Sequence, residues 1–96
     1  MRKYEIMFIV RPTLSEDEKK SVISKFVKIL TDNKATITNE KDMGQRELAY
    51  EIKDFKTGFY YLVNLESEDD SAISEFDRQA KNTQDVVRHL ITRIDD

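Results

Sequence analysis

The chain has 96 residues, a formal net charge of −3, 36% charged residues and no cysteine. This length fits one domain, and the lack of cysteine excludes disulfides and thiolate metal sites and suits a reducing cytoplasm. The acidic balance is not that of an autonomous nucleic-acid binder, because a basic surface supplies most of the affinity of such proteins.

The first predicted element is a strand over residues 4–10. It alternates between two largely apolar faces, formed by Tyr4, Ile6, Phe8 and Val10 and by Glu5, Met7 and Ile9. A strand with two apolar faces lies near the middle of a sheet, and Pro12 ends this one. The apolar run is too short for a signal-peptide core or a bilayer span, so we expect a soluble chain, unprocessed at this end.

A helix is predicted next. Ser15 and Glu18 have the spacing of a capping box. Apolar residues then recur at helical spacing: Val22, Ile23, Phe26, Val27 and Leu30. This pattern predicts an amphipathic helix that ends near Asp32 and Asn33.

The middle of the chain predicts an antiparallel hairpin. Residues 35–41 and 46–52 alternate and indicate one long strand, with a bulge or bend at Met43 and Gly44. Residues 54–58 predict a tight connection, and residues 59–66 predict the third strand.

The last part predicts a short helix and a fourth strand. Ser67 and Asp70 resemble an N-cap pair, and the helix after them has a buried side formed by Ala72, Ile73, Phe76 and Ala80. Residues 86–94 alternate as a strand. The order β-α-β-β-α-β indicates an α+β, ferredoxin-like fold, a four-stranded antiparallel sheet in the order 4-1-3-2 with two helices on one face. We expect residues 1–96 to form a single ferredoxin-like domain.

No residue pattern indicates catalysis. His89 is the only histidine, and a lone histidine on a strand is more often structural than catalytic. The carboxylates crowd at helix starts, where the helix dipole accounts for them. The sequence has no glycine-rich phosphate loop, nucleophile elbow or metal-ligand spacing. We predict no enzymatic activity, no metal and no cofactor.

The third strand partly matches the signature of RNA-recognition motifs. Gly58, Phe59, Tyr61 and Leu62 fit it, whereas Thr57, Tyr60 and Asn64 depart from it. A core or interface role for Phe59 and Tyr61 is favoured over base stacking.

The uncovered face of the sheet is predicted to carry an exposed apolar patch. Two helices cover one face only, while the first and third strands are apolar on both. Such a patch indicates a protein partner, with self-association or cover by loops as the alternatives.

Three segments resemble the bacterial small-subunit ribosomal protein S6 family. Residues 1–6 are similar to its M-R-x-Y-E start, residues 44–52 to its W-G-K/R-R-x-L-A-Y-P-I signature, and residues 86–93 to its V-I/V-R-x-x-x-x-K/R fourth strand. Met43 stands where the family usually has tryptophan, and Glu51 where proline is common.

The resemblance implies a structural, RNA-binding role in the cytoplasmic ribosome. The chain would bind the central domain of 16S ribosomal RNA as a heterodimer with ribosomal protein S18 and aid subunit assembly, with no membrane and no small-molecule substrate. A basic partner would supply much of the phosphate neutralisation that this acidic chain lacks. The cations expected to contact RNA are Arg2, Lys3, Arg46, Lys56, Arg88 and Arg93, and the aromatic residues expected at the partner interface are Tyr4, Tyr50 and Tyr60.

Two other functions remain open at this point. A non-ribosomal ferredoxin-like module for interaction or ligand sensing would form a symmetric dimer through the open sheet face. A small ferredoxin-fold enzyme would depend on His89.

Overall fold

The computed structural model describes residues 2–52 and 55–94. Its elements are β1 (Arg2–Val10), α1 (Glu16–Asp32), β2 (Thr36–Ile52), β3 (Phe55–Ser67), α2 (Ser71–Lys81) and β4 (Val86–Arg93). The strands form one antiparallel sheet in the order β2-β3-β1-β4. The predicted ferredoxin-like fold and its strand order are confirmed.

The core lies between the two helices and one face of the sheet. Phe8 of β1, Phe26 of α1 and Phe76 of α2 meet there, with ring centroids 5.1 to 6.0 Å apart and the rings tilted or edge to face. Aromatic rings favour these arrangements over flat stacking. Around them pack buried aliphatic residues from β1, α1 and β3, namely Ile6, Val10, Leu30, Val63 and Leu65. The core therefore uses one face of the central strands and leaves the other face uncovered.

The predicted capping box begins α1. Ser15 Oγ accepts a hydrogen bond from the Glu18 backbone N–H at 3.2 Å, and Glu18 Oε1 accepts one from the Ser15 backbone N–H at 3.1 Å. The hydrogen bond from the Ser15 backbone is the main reason that the pKa of Glu18 lies below its ordinary value. The helix ends at Asp32, as predicted.

The hairpin between β2 and β3 differs in part from the prediction. A register shift between Asp42 and Gly44 confirms the predicted bulge, where Gly44 has a φ of 78°. The predicted connection over residues 54–58 is wrong for residues 55–58. These residues belong to β3, which begins at Phe55, and Gly58 pairs with Arg46. Gly58 has the composition of a turn residue but lies within a strand. Residues 53 and 54 lie outside the described residues.

The predicted N-cap at Ser67 is also wrong. Ser67 is the buried last residue of β3 and pairs with Arg2. The helix begins at Ser71, and Asp69 Oδ1 accepts a hydrogen bond from the Ser71 backbone N–H at 2.9 Å. This bond lowers the pKa of Asp69. Several consecutive capping residues precede α2, so their spacing alone did not identify the start.

Candidate nucleic-acid and protein interface

The face of the sheet that points away from the helices is the open face. Successive residues of a strand point to opposite faces, so the neighbours of the core residues lie here. Met7 of β1 pairs with Leu62 of β3 and Leu90 of β4, and Ile9 pairs with Tyr60 and Arg88. Leu90 is 53% exposed. The predicted apolar patch is therefore present, at the centre of the open face.

The β2–β3 hairpin bends over the open face. Between the pairs Glu47–Thr57 and Ile52–Phe55, β2 advances by five residues and β3 by two. The extra residues bulge out of β2 and bring Tyr50 towards β4, on the opposite edge of the sheet. Arg88 Nη1 of β4 donates a hydrogen bond to Tyr50 Oη at 2.6 Å.

Gly58 permits this close approach. A Cβ at Gly58 would overlap Cγ2 of Ile9 and would lie 3.6 Å from Cδ2 of Leu48. The side chain of Ile9, which is 4% exposed, therefore occupies the space above Gly58, next to Leu48. Leu48, at the base of the bulge, therefore lies close to the sheet at Gly58.

A shallow pocket of about 170 Å³ lies on the open face beside the Tyr50–Arg88 contact. It is lined by Met7, Ile9, Tyr60, Arg88, His89 and Leu90. Its walls are thus mostly apolar, with one guanidinium among them. A surface of this composition can bind an apolar or aromatic group next to an anion.

The cations predicted to contact RNA lie on two faces. By strand alternation Lys3, Arg46 and Arg88 lie on the open face, because they pair with Glu66, Gly58 and Ile9. Lys56 lines a groove at the far end of the hairpin, together with Leu48 and Glu51. Arg2 pairs with Ser67 and Arg93 with Tyr4, which places both on the helix-covered face. The structure therefore brings these six cations together only in part.

The three aromatic residues predicted at the partner interface are also divided. Tyr50 is 62% exposed, and Tyr60 lines the pocket of the open face. Tyr4 is 6% exposed and belongs to the core. It points towards the helices and does not line this surface.

The aromatic residues of the partial RNA-recognition match face the helices. The Tyr61 ring lies 5.7 Å from that of Phe8, and its hydroxyl donates to Glu40 Oε1 at 2.8 Å. Burial, together with this hydrogen bond, raises the pKa of Tyr61 to about 12. Lys19 Nζ lies 5.0 Å from the centroid of the Phe59 ring. Phe59 and Tyr61 are half-buried and pack against the core, in agreement with the favoured core or interface role, and they do not offer stacking surfaces on the open face.

His89 has a structural contact. Its Nε2 lies 2.7 Å from Asp77 Oδ1, and its ring packs edge to face against Phe76. Hydrogen bonds from Lys81 and from His89 lower the pKa of Asp77. Over residues 2–52 and 55–94, metal-ligating side chains do not cluster in threes. In the same ranges, no helix has the length and apolar character needed to cross a bilayer.

Several residues of the open face, among them Leu90 and Leu48, were not among the predicted site residues. Leu90 lies two residues from Arg88 on the same strand face, so alternation could have identified it. Leu48 reaches the space above Gly58 through the bulge of β2. No periodicity in the sequence indicates a bulge of that size.

Known proteins resemble this chain over nearly its whole length. The family model of ribosomal protein S6 matches residues 3–93. The crystal structure of 30S ribosomal protein S6 from Thermotoga maritima has a TM-score of 0.90 and 31% identity, covering 96% of this chain and 86% of that chain. The C-terminal domain of the MgtC protein from Mycobacterium tuberculosis has a TM-score of 0.64 at 11% identity, covering 97% and 87%. That second likeness shows the fold alone.

These matches confirm the resemblance inferred from the three segments. They also confirm the bacterial, ribosomal and RNA-binding class and the location in the small subunit of the cytoplasmic ribosome. Family and fold are those of a structural protein. The chain belongs to the ribosomal protein S6 family.

Proposed function

We propose that this protein binds the central domain of 16S ribosomal RNA cooperatively with ribosomal protein S18, as a heterodimer. It acts there as one domain, residues 1–96, that aids subunit assembly and has no enzymatic activity. The observation that carries the proposal is the open face. The exposed Leu90 and the half-buried Met7 and Leu62 adjoin Arg88 there, and Arg88 donates a hydrogen bond to the Tyr50 hydroxyl.

The apolar centre of the open face supports a protein partner. Met7, Leu62 and Leu90 come from three adjacent strands and form a contiguous patch. Contiguous exposed apolar patches of soluble proteins mark interaction sites. Tyr50 and Tyr60 adjoin the patch, and tyrosine is enriched among the residues that dominate interface affinity. S18 is the proposed occupant of this centre.

The cations near the bulge of β2 support contact with RNA. Arg88 lies at the pocket of the open face. Arg46 lies just before the bulge of residues 47–52, and its Nε donates a hydrogen bond to the Met43 carbonyl at 3.2 Å. Each exposed cation can neutralise one phosphate and release its counterion. Lys3 and Lys56 extend this proposed RNA surface towards both ends of the sheet. Arg2 and Arg93, which lie on the other face, are proposed as secondary contacts at the sheet margin.

The net charge supports the requirement for a partner. A chain with a formal charge of −3 repels a polyanion over distances longer than single contacts. A few cations then provide correct placement but little affinity. A basic S18 bound to the open face would contribute the missing positive charge. Binding of RNA and of S18 would consequently be cooperative.

Filter retention of a central-domain fragment of 16S RNA tests the proposal. With S18 present we expect tight retention that falls steeply between about 50 and 200 mM salt, and with either protein alone we expect weak retention. Arg88→Met should weaken binding about tenfold. Lys20→Met, which removes an exposed cation of α1, is the matched control and should leave the affinity unchanged.

Retention that is equally tight without S18 would contradict the heterodimer. The absence of retention under every condition would contradict the RNA-binding role itself. An equal loss in Arg88→Met and Lys20→Met would show that total charge, and not the open face, governs binding.

A further inference from the structure

A hydrogen bond between Tyr50 and Arg88 joins the two outer strands of the sheet across its open face. Tyr50 belongs to β2 and Arg88 to β4, and β3 and β1 lie between them. Neighbouring strands are about 4.8 Å apart, so a flat sheet would keep these two strands about 14 Å apart. The bulge between Glu47 and Ile52 closes that distance and brings Tyr50 Oη to 2.6 Å from Arg88 Nη1.

Stability accounts poorly for this contact. Both side chains are exposed, so the hydrogen bond replaces bonds to water and adds little to the free energy of unfolding. The base of the bulge approaches the sheet independently of Tyr50, because Cδ2 of Leu48 lies 3.6 Å from the point where a Cβ at Gly58 would be. The Tyr50 hydroxyl is therefore not needed to hold the hairpin over the sheet. Its direct effect is on the guanidinium that it contacts.

The contact restricts Arg88 in a way that suits an anion. An exposed arginine samples many rotamers, and restricting them on binding reduces affinity. A guanidinium has five N–H donors, and the bond to Tyr50 uses one on Nη1. The edge formed by Nε and Nη2 has the fork geometry that matches two oxygens of one phosphate. A guanidinium fixed at Nη1 thus presents this edge in a defined direction.

We infer that Tyr50 is a positioning residue for RNA binding, whose hydroxyl orients Arg88 so that its Nε–Nη2 edge receives one phosphate of the RNA. The inference rests on the proposed function and specifies the RNA group that meets this part of the open face. Tyr50 contributes to RNA affinity through Arg88, and not through an RNA contact of its own.

A double-mutant cycle tests the inference in the complex with S18 and the RNA fragment. Tyr50→Phe removes only the hydroxyl and should weaken RNA binding about fivefold. Arg88→Met should weaken RNA binding about tenfold. It should also make the negative slope of the log association constant against log salt less steep by about 1. In the R88M background, Tyr50→Phe should have no further effect. Tyr61→Phe is the matched control, since its hydroxyl bonds to Glu40 on the other face.

A second measurement uses the free protein and does not depend on RNA. The ¹⁵N relaxation of Arg88 Nε should show increased motion in Tyr50→Phe and none in Tyr61→Phe. Unchanged motion in Tyr50→Phe would overturn the positioning role, whatever the RNA result.

The binding outcomes separate the two proposals. If Tyr50→Phe weakens RNA binding equally in the unmodified protein and in the R88M background, Tyr50 acts independently of Arg88, which overturns the inference. An effect of Arg88→Met without an effect of Tyr50→Phe would overturn it as well. Failure of the unmodified protein to bind RNA with S18 would overturn the proposed function, and with it the assignment of the phosphate.

Discussion

Gly58 of β3 allows side chains from β1 and β2 to approach the β3 backbone closely. It lies in β3, and the side chain of Ile9 from β1 occupies the space where its Cβ would be. Leu48 from β2 lies next to the same point. The need for glycine here arises from packing against neighbours, and it differs from the need at Gly44, where φ is 78°.

Gly58→Ala should lower the free energy of unfolding by about 1–3 kcal/mol, because the new methyl group forces the buried Ile9 to move. Urea denaturation measures this directly. In the I9A background the cost should largely disappear, since the overlapping methyl group is gone. Gly44→Ala is the control: it should cost about 1 kcal/mol through backbone strain, and Ile9→Ala should not change that cost. A G58A cost that stays the same in the I9A background would contradict this explanation.

At the scale of elements, the two helices begin differently. The Ser15 side chain accepts a hydrogen bond from the first turn of α1. The N-cap of α2, Asp70, makes no side-chain capping hydrogen bond, and Asp69 bonds to the Ser71 N–H instead. The acidic residues near both starts look equivalent in the sequence, but their roles are not.

Ser15→Ala should therefore lower the free energy of unfolding by about 1 kcal/mol, because it leaves a backbone N–H of the first turn without its acceptor. Asp70→Ala should cost clearly less. Thermal unfolding followed by circular dichroism at constant pH compares the two variants. Equal costs would show that charge near the helix ends matters more than the capping bond.

Periodicity predicted the order and the faces of the elements. Alternation in residues 4–10 separated the core set from the open-face set, because a strand has only two faces. The extension of β3 to Phe55 and the bulge of β2 could not be predicted in the same way. Both depend on pairing between strands, and a residue's partner in another strand is not visible in its own local pattern.

Alternation also shows why some site residues predicted from the family motifs do not lie on the open face. Arg2 and Lys3 are consecutive, so they necessarily lie on opposite faces. Tyr4 shares its face with Ile6 and Phe8, which places it in the core. These residues were assigned from a matched motif or from charge, and neither indicates the direction of a side chain. Tyr50 and Arg88 were each predicted, but their contact spans the sheet from the bulged part of β2 to β4, which alternation within a strand does not indicate.

At the scale of the whole molecule, hydrogen-bonded carboxylates connect stability to pH. Among residues 2–52 and 55–94, four of them have lowered pKa values: Glu18, Asp69, Glu75 and Asp77. Hydrogen bonds from Arg78 lower the pKa of Glu75 to about 2. A carboxyl whose pKa is lower in the folded protein stabilises the fold above its ordinary pKa, and loses that effect as the pH falls through the lowered value.

The free energy of unfolding should therefore fall as the pH decreases from about 5 towards 2. Asp77→Asn and Glu18→Gln should each make this fall less steep, because one of the linked carboxyl groups is removed. Urea denaturation at a series of pH values measures the slope of the free energy of unfolding against pH for each protein. Slopes identical to that of the unmodified protein would show that these hydrogen bonds do not persist in solution.

The strand order also has a consequence for synthesis of the chain. β1 is the first strand to be translated, yet it lies inside the sheet, where Tyr4 pairs with Leu65 on one side and Arg93 on the other. A nascent chain that has emerged as far as α1 has none of these partners. The sheet closes around β1 only after residue 93 has left the exit tunnel, so most of the chain must be translated before its first strand is protected.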